Sequence, residues 1–185
     1  MILKDKTILF LGSSVTYGAE GISFVEMMSE ACTSHCIKEA VSGTTLADID
    51  NTSYVARLKK IDKSIKPDLF ICQLSTNDAT RNIELSEVEK AIRFIIEYVK
   101  NTFACPIVFY TGTYFESKAY ENMIRLLYDM QKEYHFYILD LFNDEDMLSV
   151  SSDDYKRYMK DPIHPTITGY KEWWTPKFIS FCEQL

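Results

Sequence analysis

Thr7-Ile8-Leu9-Phe10-Leu11-Gly12-Ser13-Ser14-Val15-Thr16 is the stretch that decides the fold of this chain. An apolar run rich in β-forming residues comes first, and a glycine, two serines and a threonine close the stretch. Such a run, ended by small residues, is typical of a buried parallel strand that leads into a loop. Ligands of open α/β sheets bind beyond the carboxyl ends of the strands. A serine in this loop is therefore either the cap of the next helix or a nucleophile.

Four more strand-like runs follow, and segments with helical periodicity separate them. The predicted strands are His35–Val41, Leu69–Leu74, Ile107–Thr111 and Phe136–Leu141. This alternation predicts an α/β fold with a five-stranded parallel sheet, right-handed crossovers and helices on both faces. Because the sequence contains no repeat and no low-complexity tract, we expect one domain that spans residues 1–185.

Two local patterns predict where helices begin or change direction. Ser86 and Glu89 have the spacing of a capping box at the start of the helix that precedes the fourth strand. The last helix is expected to begin near Thr166. Pro176 lies within that helix and predicts a kink or a break, because proline donates no backbone hydrogen bond.

The composition is that of a globular protein, with 46% hydrophobic and 25% charged residues among 185. The net charge of -7 argues against nucleic acid and against an anionic membrane surface as partners, since both require clustered Lys and Arg. No run approaches the roughly 20 apolar residues of a membrane span. The five cysteines are odd in number and lie mostly in apolar segments, which predicts buried, reduced thiols and a cytoplasmic location.

The chain has three histidines, and their positions relative to the strands differ. His35 and His135 each stand just before a predicted strand, at the amino edge of the sheet. His164 follows the last strand and its connection, so it is the histidine placed to meet Ser14. Asp161 stands three residues earlier, a spacing that lets a carboxylate bind one imidazole nitrogen while the other faces the serine. The alternative is that Asp161 and His164 form only a capped turn.

Acyl transfer also needs hydrogen-bond donors for the oxyanion that develops on the substrate. The candidates are the backbone N–H of Ser14, the backbone of Gly43, which has no side chain to block a ligand, and the side-chain amide of Asn77. Taken singly, Gly43 is equally consistent with an ordinary turn and Asn77 with an Asx-turn or a helix cap. Their predicted position at the same edge of one sheet strengthens the catalytic interpretation.

The chain resembles the SGNH hydrolases, the GDSL-type esterase and acylhydrolase superfamily, in four blocks: Leu11–Thr16, Val41–Gly43, Gln73–Asp78 and Asp161–Pro165. The resemblance implies a flavodoxin-like three-layer α/β/α sandwich. It also implies that Ser14 is the nucleophile, that Asp161 and His164 are the acid and base, and that Gly43 and Asn77 complete the oxyanion hole.

Two residues depart from the pattern of that superfamily. Ser13 stands where its members usually have aspartate, and Ser75 stands where they usually have glycine. Neither position supplies the nucleophile or a catalytic proton in the superfamily, so the resemblance still implies activity. The adjacent serines raise the question of which one attacks, and the register of the motif favours Ser14.

The predicted function is therefore a serine esterase that cleaves a short-chain, acetyl-type ester through an acyl-enzyme, on a carbohydrate or another small molecule. Tyr17, Tyr114 and Phe115 lie in loops at the carboxyl edge and are candidates for the substrate pocket, although packing on neighbouring residues explains them equally well. We expect no cofactor and no metal. The expected partner is a small-molecule ester, with no nucleic acid and no membrane, and a homo-oligomer is compatible with the sequence.

Two other functions are compatible with parts of the sequence. Ser13, Ser14 and Thr16 suit a flavodoxin-like module that binds flavin or phosphate, since hydroxyl residues at a helix N-terminus bind phosphate. That interpretation leaves Asn77 and His164 without a role. The other is a non-catalytic member of the superfamily that acts through partners.

Overall fold

A parallel sheet lies at the centre of the molecule in a computed structural model, which describes all 185 residues. Its strands are β1 (Thr7–Gly12), β2 (His35–Ala40), β3 (Leu69–Gln73), β4 (Ile107–Tyr110) and β5 (Tyr137–Leu139). Every neighbouring pair is parallel, and the strand order is β2-β1-β3-β4-β5, the order of flavodoxin-like sheets. The prediction of a five-stranded parallel α/β sheet is confirmed.

Helices occupy most of the connections between the strands and the C-terminal end of the chain. They are α1 (Ser14–Tyr17), α2 (Phe24–Cys32), α3 (Tyr54–Leu58), α4 (Thr76–Thr80), α5 (Leu85–Thr102), α6 (Lys118–Tyr134), α7 (Glu145–Leu148), α8 (Ser152–Tyr158), α9 (Ile167–Gly169) and α10 (Thr175–Glu183). A π-helical turn, Tyr170–Trp174, joins α9 to α10. None of these helices combines the length and the apolar composition that crossing a bilayer requires.

The helices form a layer on each face of the sheet. Alternate residues of β1 point to opposite faces, so Leu9 packs with α3, α5 and α6 while Ile8 packs with α2 and α10. The direction of winding reverses between β1 and β3, since β2 lies on the other side of β1. The loops that follow β1 and β3 therefore begin at the topological switch point, where open α/β sheets bind their ligands.

Two boundaries differ from the sequence predictions by more than one residue. Strand β5 is three residues long, Tyr137–Leu139, because it pairs with only three residues of β4. Ser86 and Glu89 form no capping box, since α5 already begins at Leu85 and both residues lie inside it. Glu89 instead pairs with Arg93, with 2.8 Å between Oε1 and Nη2.

Pro176 does not break the C-terminal helix. The chain is helical from Ile167 to Glu183, and the π-helical turn directly before the proline replaces a kink. The backbone N–H of Thr175 donates to Tyr170 O, five residues back, and its hydroxyl donates to the same oxygen at 2.7 Å. The helix thus accommodates Pro176 through a wider, π-helical turn instead of a kink.

Candidate active site

Three predicted residues form a chain of hydrogen bonds at the carboxyl edge of the sheet. Ser14 Oγ lies 2.9 Å from His164 Nε2, although the two residues are 150 positions apart. His164 Nδ1 lies 2.8 Å from Asp161 Oδ2 and 3.0 Å from Oδ1. The imidazole therefore bridges the serine and the carboxylate through its two different nitrogens, which is the arrangement that lets a base accept the serine proton.

The turn that holds Asp161 is built by its own carboxylate. Oδ1 accepts hydrogen bonds from the backbone N–H groups of Ile163, at 2.8 Å, and His164, at 2.9 Å. Partial burial raises the pKa of Asp161, but these two N–H donors and the His164 side chain outweigh it and leave the pKa below its usual value. The Asp161 carboxyl is therefore ionised at neutral pH.

The segment that contains Asp161 and His164 is both a capped turn and part of the chain of hydrogen bonds to Ser14. The side chains of His164 and Asp161 are 39% and 44% exposed, so burial alone does not fix the imidazole. The backbone of the segment is fixed by an antiparallel bridge between Met159 and Pro165, in which Lys160 N donates to His164 O at 2.8 Å.

The two adjacent serines have opposite environments. Ser13 is fully buried, its backbone N–H donates to Gln73 Oε1 at 2.9 Å, and its hydroxyl lies 3.4 Å from the same oxygen. Ser14 begins α1 and is partly exposed, with its hydroxyl on His164. Of the two serines, Ser14 is the one in contact with the imidazole.

Gly12 is required by the close return of α1 to the strand. A Cβ atom at this position would lie 1.7 Å from Thr16 Oγ1 and 2.9 Å from Gln73 Oε1. Thr16 is itself buried and donates to Gln73 Oε1 at 2.9 Å. The hydroxyls of Ser13 and Thr16 are thus turned into the protein, and of the three hydroxyls proposed for a phosphate site only that of Ser14 is presented at the surface.

Gly43 lies at the exposed start of a loop whose next four residues, 44–47, are buried. Gly43 has φ +78°, which favours glycine, and no atom lies within 4 Å of the Cβ position. Its carbonyl accepts from Arg81 Nη2 at 2.8 Å, and the carbonyl of Thr44 accepts from Asn77 Nδ2 at 2.9 Å. The backbone N–H groups of Ser14 and Gly43 donate to no acceptor in the chain.

The residue after Asn77 anchors the other half of the same loop. Asp78 is fully buried, and its two oxygens accept from the backbone N–H groups of Leu46, at 2.8 Å, and Ala47, at 2.9 Å. Burial raises the pKa of the Asp78 carboxyl more than these hydrogen bonds lower it. One turn of α4 thus connects β3 to the loop after β2 through two neighbouring side chains.

A cavity of about 360 Å³ lies beside the Ser14 hydroxyl. Ser14, Asp161 and His164 line it, together with Ser42 and Lys160. Most of the other lining residues belong to the loop after α1, among them Gly18, Ala19 and Glu20. Six of the ten lining residues are polar or charged, which suits an ester with a polar leaving group. No group of three or more His, Cys, Asp or Glu side chains in the chain is arranged to hold a metal ion.

The three predicted pocket aromatics do not line this cavity. Phe115 is buried and packs on Tyr120, with ring centroids 5.0 Å apart. Tyr114 is 49% exposed and lines two other cavities, of about 410 and 420 Å³, on the side of α7. Tyr17 is exposed beside the Lys38 ammonium, which lies 5.7 Å from its ring centroid. The packing alternative given above accounts for Phe115, and a substrate contact of Tyr17 or Tyr114 stays a prediction.

Several residues that hold the site together were not predicted from the sequence. Gln73 and Asp78 are the ends of the block Gln73–Asp78, but the sequence indicated no role for either, and it indicated none for Arg57 or Tyr170. Tyr170 donates its hydroxyl to Val15 O at 2.9 Å, so it fixes α1 from the side of the C-terminal helix. The signal for such residues is a polar side chain within an apolar segment, as Gln73 is at the end of β3.

Comparisons with known proteins identify the family of the chain. The chain matches the model of the GDSL-like Lipase/Acylhydrolase family over residues 10–172. No curated protein matches the sequence significantly.

Solved structures with the same fold cover nearly the whole chain. A protein from Lactobacillus plantarum is 17% identical, with a TM-score of 0.83 and 98% of each chain covered. A member of the lipolytic protein G-D-S-L family from Veillonella parvula is 14% identical, with a TM-score of 0.77 and coverage of 97% of this chain and 99% of that one. AlinE4, an SGNH-hydrolase family esterase, is 22% identical, with a TM-score of 0.65 and coverage of 98% and 97%.

The family match extends over most of the chain and includes all the residues assembled at the carboxyl edge of the sheet. The fold of the three solved structures is the one described here. The chain therefore belongs to the GDSL-like lipase/acylhydrolase family and is an ester-bond hydrolase.

Proposed function

We propose that the protein is a serine esterase that cleaves short-chain, acetyl-type esters through an acyl-enzyme on Ser14. The observation that carries the proposal is the continuous chain of contacts from Ser14 Oγ through His164 to the Asp161 carboxylate. A serine hydroxyl is a weak nucleophile unless an adjacent base accepts its proton. His164 is the base in contact with it.

In the first half of the reaction, Ser14 Oγ attacks the ester carbonyl while His164 Nε2 accepts the hydroxyl proton. Asp161 holds Nδ1 of the imidazole as an N–H donor and stabilises the positive charge that forms on the ring. His164 then donates the proton to the departing alcohol oxygen. The acyl group is left on Ser14.

In the second half, water attacks the acyl-enzyme from the position that the alcohol left, and the proton transfers run in the opposite direction. His164 takes a proton from the water as its oxygen attacks the acyl carbon, and returns it to Ser14 Oγ as the carboxylic acid leaves. Both halves pass through a tetrahedral oxyanion. The free backbone N–H groups of Ser14 and Gly43 and the second N–H of the Asn77 amide are the proposed donors to that oxygen.

The cavity beside the nucleophile supports the proposed substrate class. Its volume of about 360 Å³ and its mostly polar or charged lining residues favour a small substrate with hydroxyl groups near the scissile bond. A short acyl chain carried on a carbohydrate or another small polar alcohol fits this description. A long alkyl chain would find few apolar partners in this cavity.

The test is a panel of p-nitrophenyl esters of increasing acyl length together with acetylated sugars. We expect the wild-type protein to hydrolyse acetyl esters best. Ser14→Ala should lower kcat/KM by about 10⁴-fold or more, because a triad without its nucleophile retains only background catalysis. Ser13→Ala is the matched control and should retain most of the activity. A Ser14→Ala variant that retained most of its activity would refute the mechanism, and a preference for long acyl chains would refute the substrate class.

A further inference from the structure

Arg57 is a buried cation close to the candidate active site. It lies in the short helix α3 and is only 7% exposed. A buried charge is tolerated only where it is paired and its hydrogen-bonding groups are satisfied. Glu39 supplies the pairing, with 3.0 Å between its Oε1 and Arg57 Nη1.

Each of the five N–H donors of this guanidinium has an acceptor within hydrogen-bond distance. Nε donates to Thr52 O at 2.9 Å, and Nη1 donates to Glu39 O and to Glu39 Oε1, both at 3.0 Å. Nη2 donates to Gly12 O at 2.7 Å and to Thr44 Oγ1 at 3.2 Å. A guanidinium carries five such donors in one rigid plane, so its orientation is fully determined here.

The two acceptors of Nη2 belong to the two segments that carry the proposed backbone donors of the oxyanion hole. Gly12 ends β1 and stands two residues before Ser14. Thr44 directly follows Gly43, and its hydroxyl donates to Val41 O at 2.7 Å, so it also closes the turn around Gly43. A single nitrogen of Arg57 therefore connects the nucleophile loop to the Gly43 loop.

We propose that Arg57 is a positioning residue for the oxyanion hole, which fixes the Ser14 and Gly43 N–H groups relative to each other without touching the substrate. The inference rests on the esterase function proposed above. Gly43 is exposed and has open space at its Cβ position, so its own place depends on the polar contacts of its neighbours and on the buried residues that follow it. Arg57 reaches the Gly12 carbonyl beside the backbone hydrogen bond that Val41 N donates to the same oxygen at 3.3 Å, and it is the side chain that joins Gly12 to Thr44.

Arg57→Lys tests the proposal, since it keeps the charge beside Glu39 but cannot supply two donors from one rigid plane to Gly12 and Thr44. We expect kcat on an acetyl ester to fall about tenfold or more, with KM within twofold, because a misaligned donor costs stabilisation of the transition state. Affinity for a boronic acid, which mimics the tetrahedral oxyanion, should fall by a similar factor. The pH profile of kcat/KM should be unchanged, since His164 and Asp161 are untouched.

Two controls separate positioning from general stability. Arg93→Lys changes an arginine that also pairs with a carboxylate and lies 5.2 Å from the ring centroid of Tyr134, but on α5, away from the site. It should leave kcat unchanged. If Arg57→Lys does not fold, Thr44→Val and Thr44→Ser replace it, and the valine variant should lose kcat while the serine variant retains it.

The outcomes distinguish the two proposals. A wild-type protein without esterase activity refutes the proposed function, whereas an active wild type matched by an equally active Arg57→Lys refutes the role of Arg57. Amide hydrogen exchange of residues 41–46 requires no turnover and should be faster in Arg57→Lys than in Arg93→Lys. Equal exchange in the two variants would overturn the positioning role even in an inactive protein.

Discussion

The two sides of Ser14 are built in different ways. On one side, His164 and Asp161 stand half-exposed on a short turn, where His164 contacts the nucleophile and Asp161 contacts His164. On the other side, the Gly43 loop is held from below by Arg57 and Asp78, which are buried charges of opposite sign. The exposed side moves protons, so its groups must reach the substrate. The buried side only sets positions, so its charged groups lie beneath the loop that they hold.

This difference predicts that variants on the exposed side lose activity without losing stability, and that variants on the buried side lose both. Substitutions at Asp161, Asn77 and Asp78 test that contrast, in order of decreasing expected effect on the rate.

Asp161→Asn should have the largest effect on turnover. An amide can still accept the backbone N–H groups of Ile163 and His164, but its NH₂ group would turn the imidazole to the wrong tautomer. We expect kcat to fall by about 10³–10⁴-fold with a melting temperature close to that of the wild type. Asp153→Asn is the control, because Asp153 is also an exposed aspartate that pairs with a side chain three positions later, in this case Lys156. A loss smaller than tenfold would show that the carboxylate does not orient His164.

Asn77→Ala should have the next largest effect. The variant removes a proposed oxyanion donor and also the hydrogen bond to Thr44 O that holds the Gly43 loop. Loss of one such donor costs roughly 10²–10³ in kcat. Steady-state kinetics on an acetyl ester measure the effect, with Asn101→Ala on α5 as the control. An unchanged kcat would remove Asn77 from the oxyanion hole.

Asp78→Asn should lower the rate least and the stability most. The amide offers one acceptor where the carboxylate accepts two backbone N–H groups, so a buried donor is left facing another donor. We expect a loss of about 1–3 kcal/mol in the free energy of unfolding, measured by denaturant titration, and a kcat only several-fold lower. A variant as stable as the wild type would refute the anchoring role of Asp78.

The pH dependence of the same pair of proteins has a definite sign. Because burial raises the pKa of Asp78 in the folded state, the folded protein binds a proton more readily than the unfolded chain does. The wild type should therefore gain stability relative to Asp78→Asn as the pH falls from above the raised pKa to the unfolded value near 3.8. Asp161 is present in both proteins, so its titration cancels in the difference. A stability difference that is constant over this range would contradict the raised pKa.

The sequence predicted the exposed side because its chemistry admits few substitutes. His164 is the only histidine on the carboxyl side of the sheet, and Asp161 precedes it by three residues, so local spacing and topology were enough. The strands were predicted for a similar reason, since β1 and β3 are uninterrupted apolar runs. The end of β5 was missed because its extent depends on pairing with β4 rather than on its own residues.

The buried side was not predictable from local pattern. In the sequence Arg57 looks like a basic residue in the last turn of a short helix, and Asp78 looks like an acidic residue in a first turn. Both are ordinary surface patterns, and only the tertiary structure shows that these side chains turn inward. Phe115 illustrates the same limit, because an aromatic residue in a loop does not reveal whether it faces the cavity or the core.

The proposed mechanism requires that Ser14, and not Ser13, forms the covalent intermediate. The most direct measurement is reaction with a fluorophosphonate followed by peptide fragmentation in a mass spectrometer. We expect a single adduct on Ser14 with concurrent loss of esterase activity, and no adduct in Ser14→Ala. An adduct on Ser13, or loss of activity with Ser14 unmodified, would contradict it.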